Sequence, residues 1–91
     1  MDYVVRKFGA NWCMPCKTLD AKLKDFNECE VIKYNVDETD ENLLEKYQVQ
    51  SIPVTVLENS DGDIIERWVG VFNVDVLAKK VKQLKENDKV L

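Results

Sequence analysis

The sequence contains no histidine, and only three cysteines, three glycines and two prolines. A structural zinc site wants four ligands. Without imidazole, and with Cys29 far along the chain from Cys16, no spacing here assembles such a set. No apolar run reaches the roughly 18 residues that span a membrane. The first residues, MDYVVRKF, lack the basic-then-apolar order and small-residue cleavage site of a secretory signal. Secreted domains stapled by disulfides usually carry an even set of cysteines, and three is odd, so the reducing cytoplasm is the expected compartment. Repeats, linkers and low-complexity tracts are also missing. Asp37, Glu38, Asp40, Glu41 and Glu45 lack the spacing and central glycine of a calcium loop, so they read as a solvated loop and helix face.

What is present is a chain of 91 residues, 45% of them hydrophobic, with a net charge of −4. That length suits one small domain spanning 1–91, and the apolar content excludes a disordered chain. The charge is uneven: residues 30–70 hold ten acidic and only three basic side chains. So acidic a middle argues against a nucleic-acid groove and serves solubility and the steering of partners.

VVRKF at 4–8 is β-branched and aromatic, a short strand. After the break at GAN, Cys16, Leu19, Leu23 and Phe26 recur at helical spacing, and Pro15 suits a first helical turn because its missing N–H would have had no partner there. Glu30–Val36 is a second strand. Thr39 or Asp40 can cap a short helix through Tyr47. VTVLE at 54–58 and DIIERWV at 63–69 are strands joined by NSDG, a hairpin signal. Asn73 can cap a last helix with Val74, Leu77, Ala78, Val81 and Leu84 on one stripe, and the final ENDKVL is expected to fray. The order is β-α-β-α-β-β-α: a parallel pair with a crossover, an antiparallel hairpin, and an α/β sheet covered on both faces. Phe8, Phe26, Tyr34, Tyr47 and Phe72 fall at core spacing, and one of Trp68 and Val69 faces solvent. Cys29 reads as a buried or half-exposed bystander.

Residues 12–16 read WCMPC. The pair could hold half a metal site, close a structural disulfide, or open and close one as its work. A structural bridge around so small a loop constrains little of the unfolded chain. Exchange chemistry explains more. A thiol at a helix start meets unpaired N–H groups and the positive end of the dipole, which favour the thiolate. Cys13 can then attack a substrate disulfide, and Cys16, one turn on, can attack Cys13 and release the reduced product.

WCMPCK, followed by KYNVD, SIP and WVG, resembles the thioredoxin family over almost the whole chain, with Met14 where the usual motif has glycine. The resemblance implies a thioredoxin fold with a mixed four-stranded sheet in the order 2-1-3-4. It implies Cys13 as nucleophile and Cys16 as resolving thiol, supported by Trp12, Met14, Pro15 and Lys33. It further implies a cis peptide at Pro53 beside the disulfide. Ile52 would offer backbone groups to a substrate, Gly70 would keep the adjoining surface open, and Trp12 and Val69 would form an apolar apron. The family's function is reduction of protein disulfides by a monomeric electron carrier with no bound cofactor. The chain has no nucleotide-binding glycine pattern, so its electrons are expected from NADPH through a separate thioredoxin reductase. Two alternatives stand beside this: a glutaredoxin-like protein reduced by glutathione, which the length suits but the single Gly70 and Ser51-Ile52-Pro53 do not, and a binding module that keeps the fold without turnover. The family's buried acid on the first core strand is replaced by Lys7, with Lys33 at the position of that acid's lysine neighbour. Lys7 is expected to snorkel to solvent, and either a nearby carboxylate with water serves Cys16 instead or the resolving step is slower.

Overall fold

In the computed structural model, which describes residues 2–89, alternation of side chains along the strands sorts the core into two layers. The strands are β1 (Tyr3–Gly9), β2 (Glu30–Asn35), β3 (Val54–Asn59) and β4 (Ile64–Val69), and the helices are α1 (Met14–Leu23), α2 (Glu41–Lys46) and α3 (Val74–Lys89). The sheet runs β2-β1-β3-β4, with β1 parallel to β2 and antiparallel to β3, and β3 antiparallel to β4. This is the topology and strand order of a thioredoxin fold.

On one face Tyr3 and Val5 of β1 and Leu57 of β3 pack with Leu19 and Leu23 of α1 and Leu77 and Val81 of α3. On the other, Phe8, Val54 and Val56 pack with Tyr47 at the end of α2. The helical spacing of Cys16, Leu19 and Leu23 puts all three on the buried side of α1. Phe26, Tyr34 and Phe72 are only partly buried against these clusters. Of Trp68 and Val69, Val69 is the exposed one, while Trp68 stacks on Phe72 at 4.8 Å.

Local chemistry sets the ends of the elements. Asp40 caps α2 by accepting from Asn42 N, and Asn73 Oδ1 accepts from Asp75 N at the start of α3. In the NSDG turn Asn59 Oδ1 accepts from the backbone of both Asp61 and Asp63. Two features depart from expectation. Val36, expected to end the second strand, and Asp37 and Glu38, expected as loop, together make one 3-10 turn, because Asn35 Oδ1 accepts from Asp37 N and organises it. The last helix does not fray from Glu86; it continues to Lys89, where the Tyr3 hydroxyl donates to Asp88 at 2.7 Å and ties the helix to β1. Val90 and Leu91, the rest of that segment, lie outside the described residues.

Candidate active site

The C-terminal end of β1 delivers the chain to the N-terminus of α1, and both thiols of WCMPC sit at that junction. Cys13 is the N-cap, with extended φ/ψ of −92° and 108°, and Pro15 follows within the first turn. Cys13 and Cys16 form a disulfide with Cα atoms 5.2 Å apart. The Cys16 backbone N–H donates to Cys13 Sγ at 3.3 Å, and Lys17 N–H donates to the Cys13 carbonyl at 3.2 Å. A sulfur that receives a helix N–H and the dipole's positive end is favoured as an anion. Cys16 is 1% exposed, the inner member of the pair.

Around the disulfide, Ala10, Val36 and Ile52 form a small apolar cluster with the two cysteines. Trp12 and Met14 are 66% and 68% exposed, and Val69 is also exposed. The Trp12 indole N–H donates to Asp37 at 2.8 Å, which fixes the ring's orientation. An open cleft of about 360 Å³ lies against Trp12, Val36, Val49 and Ile52. The Ile52–Pro53 bond is cis, and Gly70 N–H, at a φ of +85° that suits glycine, donates to the Pro53 carbonyl at 2.8 Å. Arg67 braces the approach to this segment by donating to the carbonyls of Tyr47 and Gln48.

Lys7 departs from expectation. It does not snorkel: the residue is 4% exposed, and its ammonium lies 2.9 Å from Asp20 Oδ1. The reason is α1, which covers this end of β1 and brings Asp20, one turn beyond Cys16, down onto the lysine. Lys33, on β2 directly beside Lys7, reaches the same oxygen at 3.5 Å. Asp20 Oδ1 receives no aligned hydrogen bond, so these contacts are ion pairs and act through charge alone. Lys33 thus meets Asp20 and not the disulfide. The trio lines a cavity of about 240 Å³ with Gly9, Asn11 and Asn35.

Sequence reasoning missed Asp20 and Asp37 as members of the site. The signal for Asp20 was its spacing of four from Cys16 on a helix; Asp37 closes the KYNVD motif of the resemblance, but nothing in the sequence tied its carboxylate to Trp12. Among the described residues no group of three or more His, Cys, Asp and Glu could hold a metal ion, and no helix is long and apolar enough to cross a membrane.

Comparison with known proteins agrees with this geometry. The profile of the thioredoxin-like domain matches residues 2–85. The chain is 34% identical over 85 residues to the thioredoxin of Bacillus subtilis, covering 88% of this chain and 80% of that one. It is 35% identical over 86 residues to the mitochondrial thioredoxin of Bos taurus, covering 89% of this chain and 51% of the bovine protein. The chain therefore spans about half the length of its mitochondrial relatives. Among solved structures, a point mutant of thioredoxin from Halobacterium salinarum superposes with a TM-score of 0.77 at 33% identity, covering 90% of this chain and 74% of that one. A thioredoxin-like fold and a Cys13–Cys16 disulfide at a helix start are together consistent with thiol–disulfide oxidoreductase activity.

Proposed function

We propose that this chain, which belongs to the thioredoxin-like domain family, reduces protein disulfides by cycling Cys13–Cys16 between dithiol and disulfide. The observation that carries the reading is Cys13 at the N-cap of α1, its sulfur receiving the Cys16 N–H. In the forward direction the Cys13 thiolate attacks one sulfur of a substrate disulfide, and the other substrate sulfur leaves as a thiolate and takes a proton from water. Cys16 then attacks Cys13 Sγ and releases the second substrate sulfur, leaving Cys13–Cys16 oxidised. The cleft beside Trp12 and Ile52, and the exposed Val69 next to Gly70, suit an extended apolar segment of the substrate.

The same apolar surface suits a flavoprotein thioredoxin reductase that returns electrons from NADPH, and a cytoplasmic monomer suits that role. Residues 30–70, which carry the Pro53 loop, are strongly acidic and would repel the two carboxylates of glutathione.

The test is trapping. Cys16→Ser should accumulate mixed disulfides through Cys13, and Cys13→Ser should accumulate none; trapping through Cys29 would overturn the assignment. Supplying the oxidised protein with NADPH and reductase, or with reduced glutathione and its recycling enzyme, separates the two donors. Rapid turnover with glutathione alone would replace the reductase and leave the Cys13 mechanism standing.

A further inference from the structure

A side chain at Gly9 would crowd two functional groups at once. A Cβ there would stand 2.7 Å from Lys7 Nζ and 3.1 Å from Cys16 Sγ. Both atoms therefore border the same small space, and they lie no more than about 5.8 Å apart, the sum of those distances, within the range where an opposite charge favours an ionised group.

The charges around that space do not balance. Lys7 and Lys33 share one carboxylate, Asp20, so the trio carries one positive charge in excess. Lys33 has a side chain 57% exposed and is screened by water, whereas the Lys7 side chain is 5% exposed and is not. The other polar groups at the site are Asn11 and Asn35, which line the same cavity, and Thr55, the β3 partner of Lys7, whose hydroxyl has no hydrogen-bond partner among the described residues; the Tyr34 ring stacks on Phe8 on the opposite face of the sheet. None of these supplies a second carboxylate. While the disulfide is closed, its sulfurs are neutral. Opening it frees two thiols, and Cys16 is the one whose sulfur borders the space beside Lys7.

We propose that Lys7 is the counter-ion of the Cys16 thiolate, and that this chain drives its resolving step with a buried cation. Burial alone would push the Cys16 thiol up and leave it protonated. The ammonium opposes that cost. The thiol proton leaves to water through the cavity beside Asp20, and Lys7 transfers nothing. The Cys16 thiolate attacks Cys13 Sγ and a Cys13–Cys16 bond forms. The Cys13–substrate bond breaks, and its electron pair departs on the substrate sulfur, which takes a proton from solvent. Lys7 is a positioning residue in this scheme: it sets the charge on Cys16 and touches no substrate.

The proposal rests on Cys16 as the resolving thiol, but its test needs no substrate. In a Cys13→Ser, Cys29→Ser background, Cys16 is the one thiol, and its ionisation is read from thiolate ultraviolet absorbance and from alkylation rate against pH. It should titrate below the ordinary thiol value of about 8.5 despite its burial. Lys7→Met should move the titration up by at least about one unit, a tenfold loss of thiolate at fixed pH. Gly9→Ala should move it the same way, because the new Cβ meets the flexible end of the lysine and drives it off. Asp20→Asn should move it down or not at all. If Lys7→Met does not fold, Gly9→Ala decides. The proposal fails if the foldable variants of this pair leave the titration in place or move it down. Failure of Cys16→Ser to trap a substrate would overturn the functional reading and leave the titration result untouched.

Discussion

Arg6 and Lys7 are neighbours on β1, and the strand's alternation sends them to opposite faces of the sheet. Each is a cation held inside the protein by a carboxylate, yet the two pairs are built differently. Arg6 donates to Glu58 through Nε at 3.3 Å and Nη2 at 3.1 Å, and also to the Tyr34 hydroxyl. The Tyr47 hydroxyl donates to the other Glu58 oxygen. Every member of that network is satisfied within it, and it lies on the face away from the disulfide. Lys7 has a contact without an aligned hydrogen bond, a carboxylate it must share, and a sulfur nearby. A closed network specifies a fold and does nothing further. A pair left one anion short is available for chemistry.

The largest expected effect breaks the closed pair. Arg6→Met leaves the Glu58 carboxylate buried without its cation and should cost about 3–5 kcal/mol in chemical denaturation. Lys7→Met should cost about 1 kcal/mol or less, because Asp20 is part-exposed and keeps both Lys33 and water. Equal losses for the two variants would erase the distinction between a structural and a working pair.

A smaller effect comes from pH. Burial raises the Glu58 carboxyl, but the hydrogen bonds from Tyr47 and Arg6 and the charges of Arg6 and Lys46 outweigh it, so the folded value lies below the ordinary one. Stability from this group is complete above the unfolded carboxyl value of about 4.3 and is lost as pH falls through the lower folded value. Tyr47 runs the other way. Burial and its hydrogen bond to Glu58 raise the phenol to about 12, so its contribution is complete below the unfolded value of about 10 and is lost as pH rises toward the folded one. Tyr3, raised to about 12 by its hydrogen bond to Asp88, burial and that carboxylate's charge, adds to the alkaline limb. Unfolding midpoints against pH should therefore fall on both sides of neutrality. Glu58→Gln should flatten the acid limb and part of the alkaline one; an unchanged profile would remove Glu58 as the organiser of its face.

The elements and the position of the disulfide were legible because they depend on local signals: the apolar period from Cys16 to Leu23, proline in the first turn, the capping Asp40 and Asn73, and NSDG between two strands. The charge arrangement under the disulfide was not. Reading Lys7 alone gave a lysine reaching for solvent, since the sequence shows that a lysine sits on a core strand but not which helix face covers it. Asp20 lies on α1 one turn past Cys16, and only the packing of α1 on β1 brings it to Lys7. The fold was a matter of periodicity; the pairing of buried ions was a matter of distance between elements.

The smallest effect sharpens the comparison by using a sulfur whose cation competes with two carboxylates. Cys29 is half-buried just before β2, and burial pushes its thiol up to about 11. Lys85 pulls it down while Glu28 and Glu30 push it up, and burial remains the largest influence. Relative to a thiol at the ordinary value, a rise of about two units leaves roughly a hundredfold less thiolate at neutral pH. In the folded, reduced protein Cys29 should therefore react with a bulky alkylating reagent far more slowly than Cys13, and Cys29→Ser should leave disulfide exchange unchanged. Titrated separately, Cys29 and Cys16 are two buried thiols in different charge surroundings: Lys85, Glu28 and Glu30 at the first, and Lys7 at the second. Burial acts on both, so a Cys16 that titrates well below Cys29 and rises toward it in Lys7→Met attributes that part of the difference to the cation at Lys7. Two thiols that both titrate high would mean that burial dominates at Cys16 as well, and rapid labelling of Cys29 would show that its surroundings are more open than the packing against β1 describes.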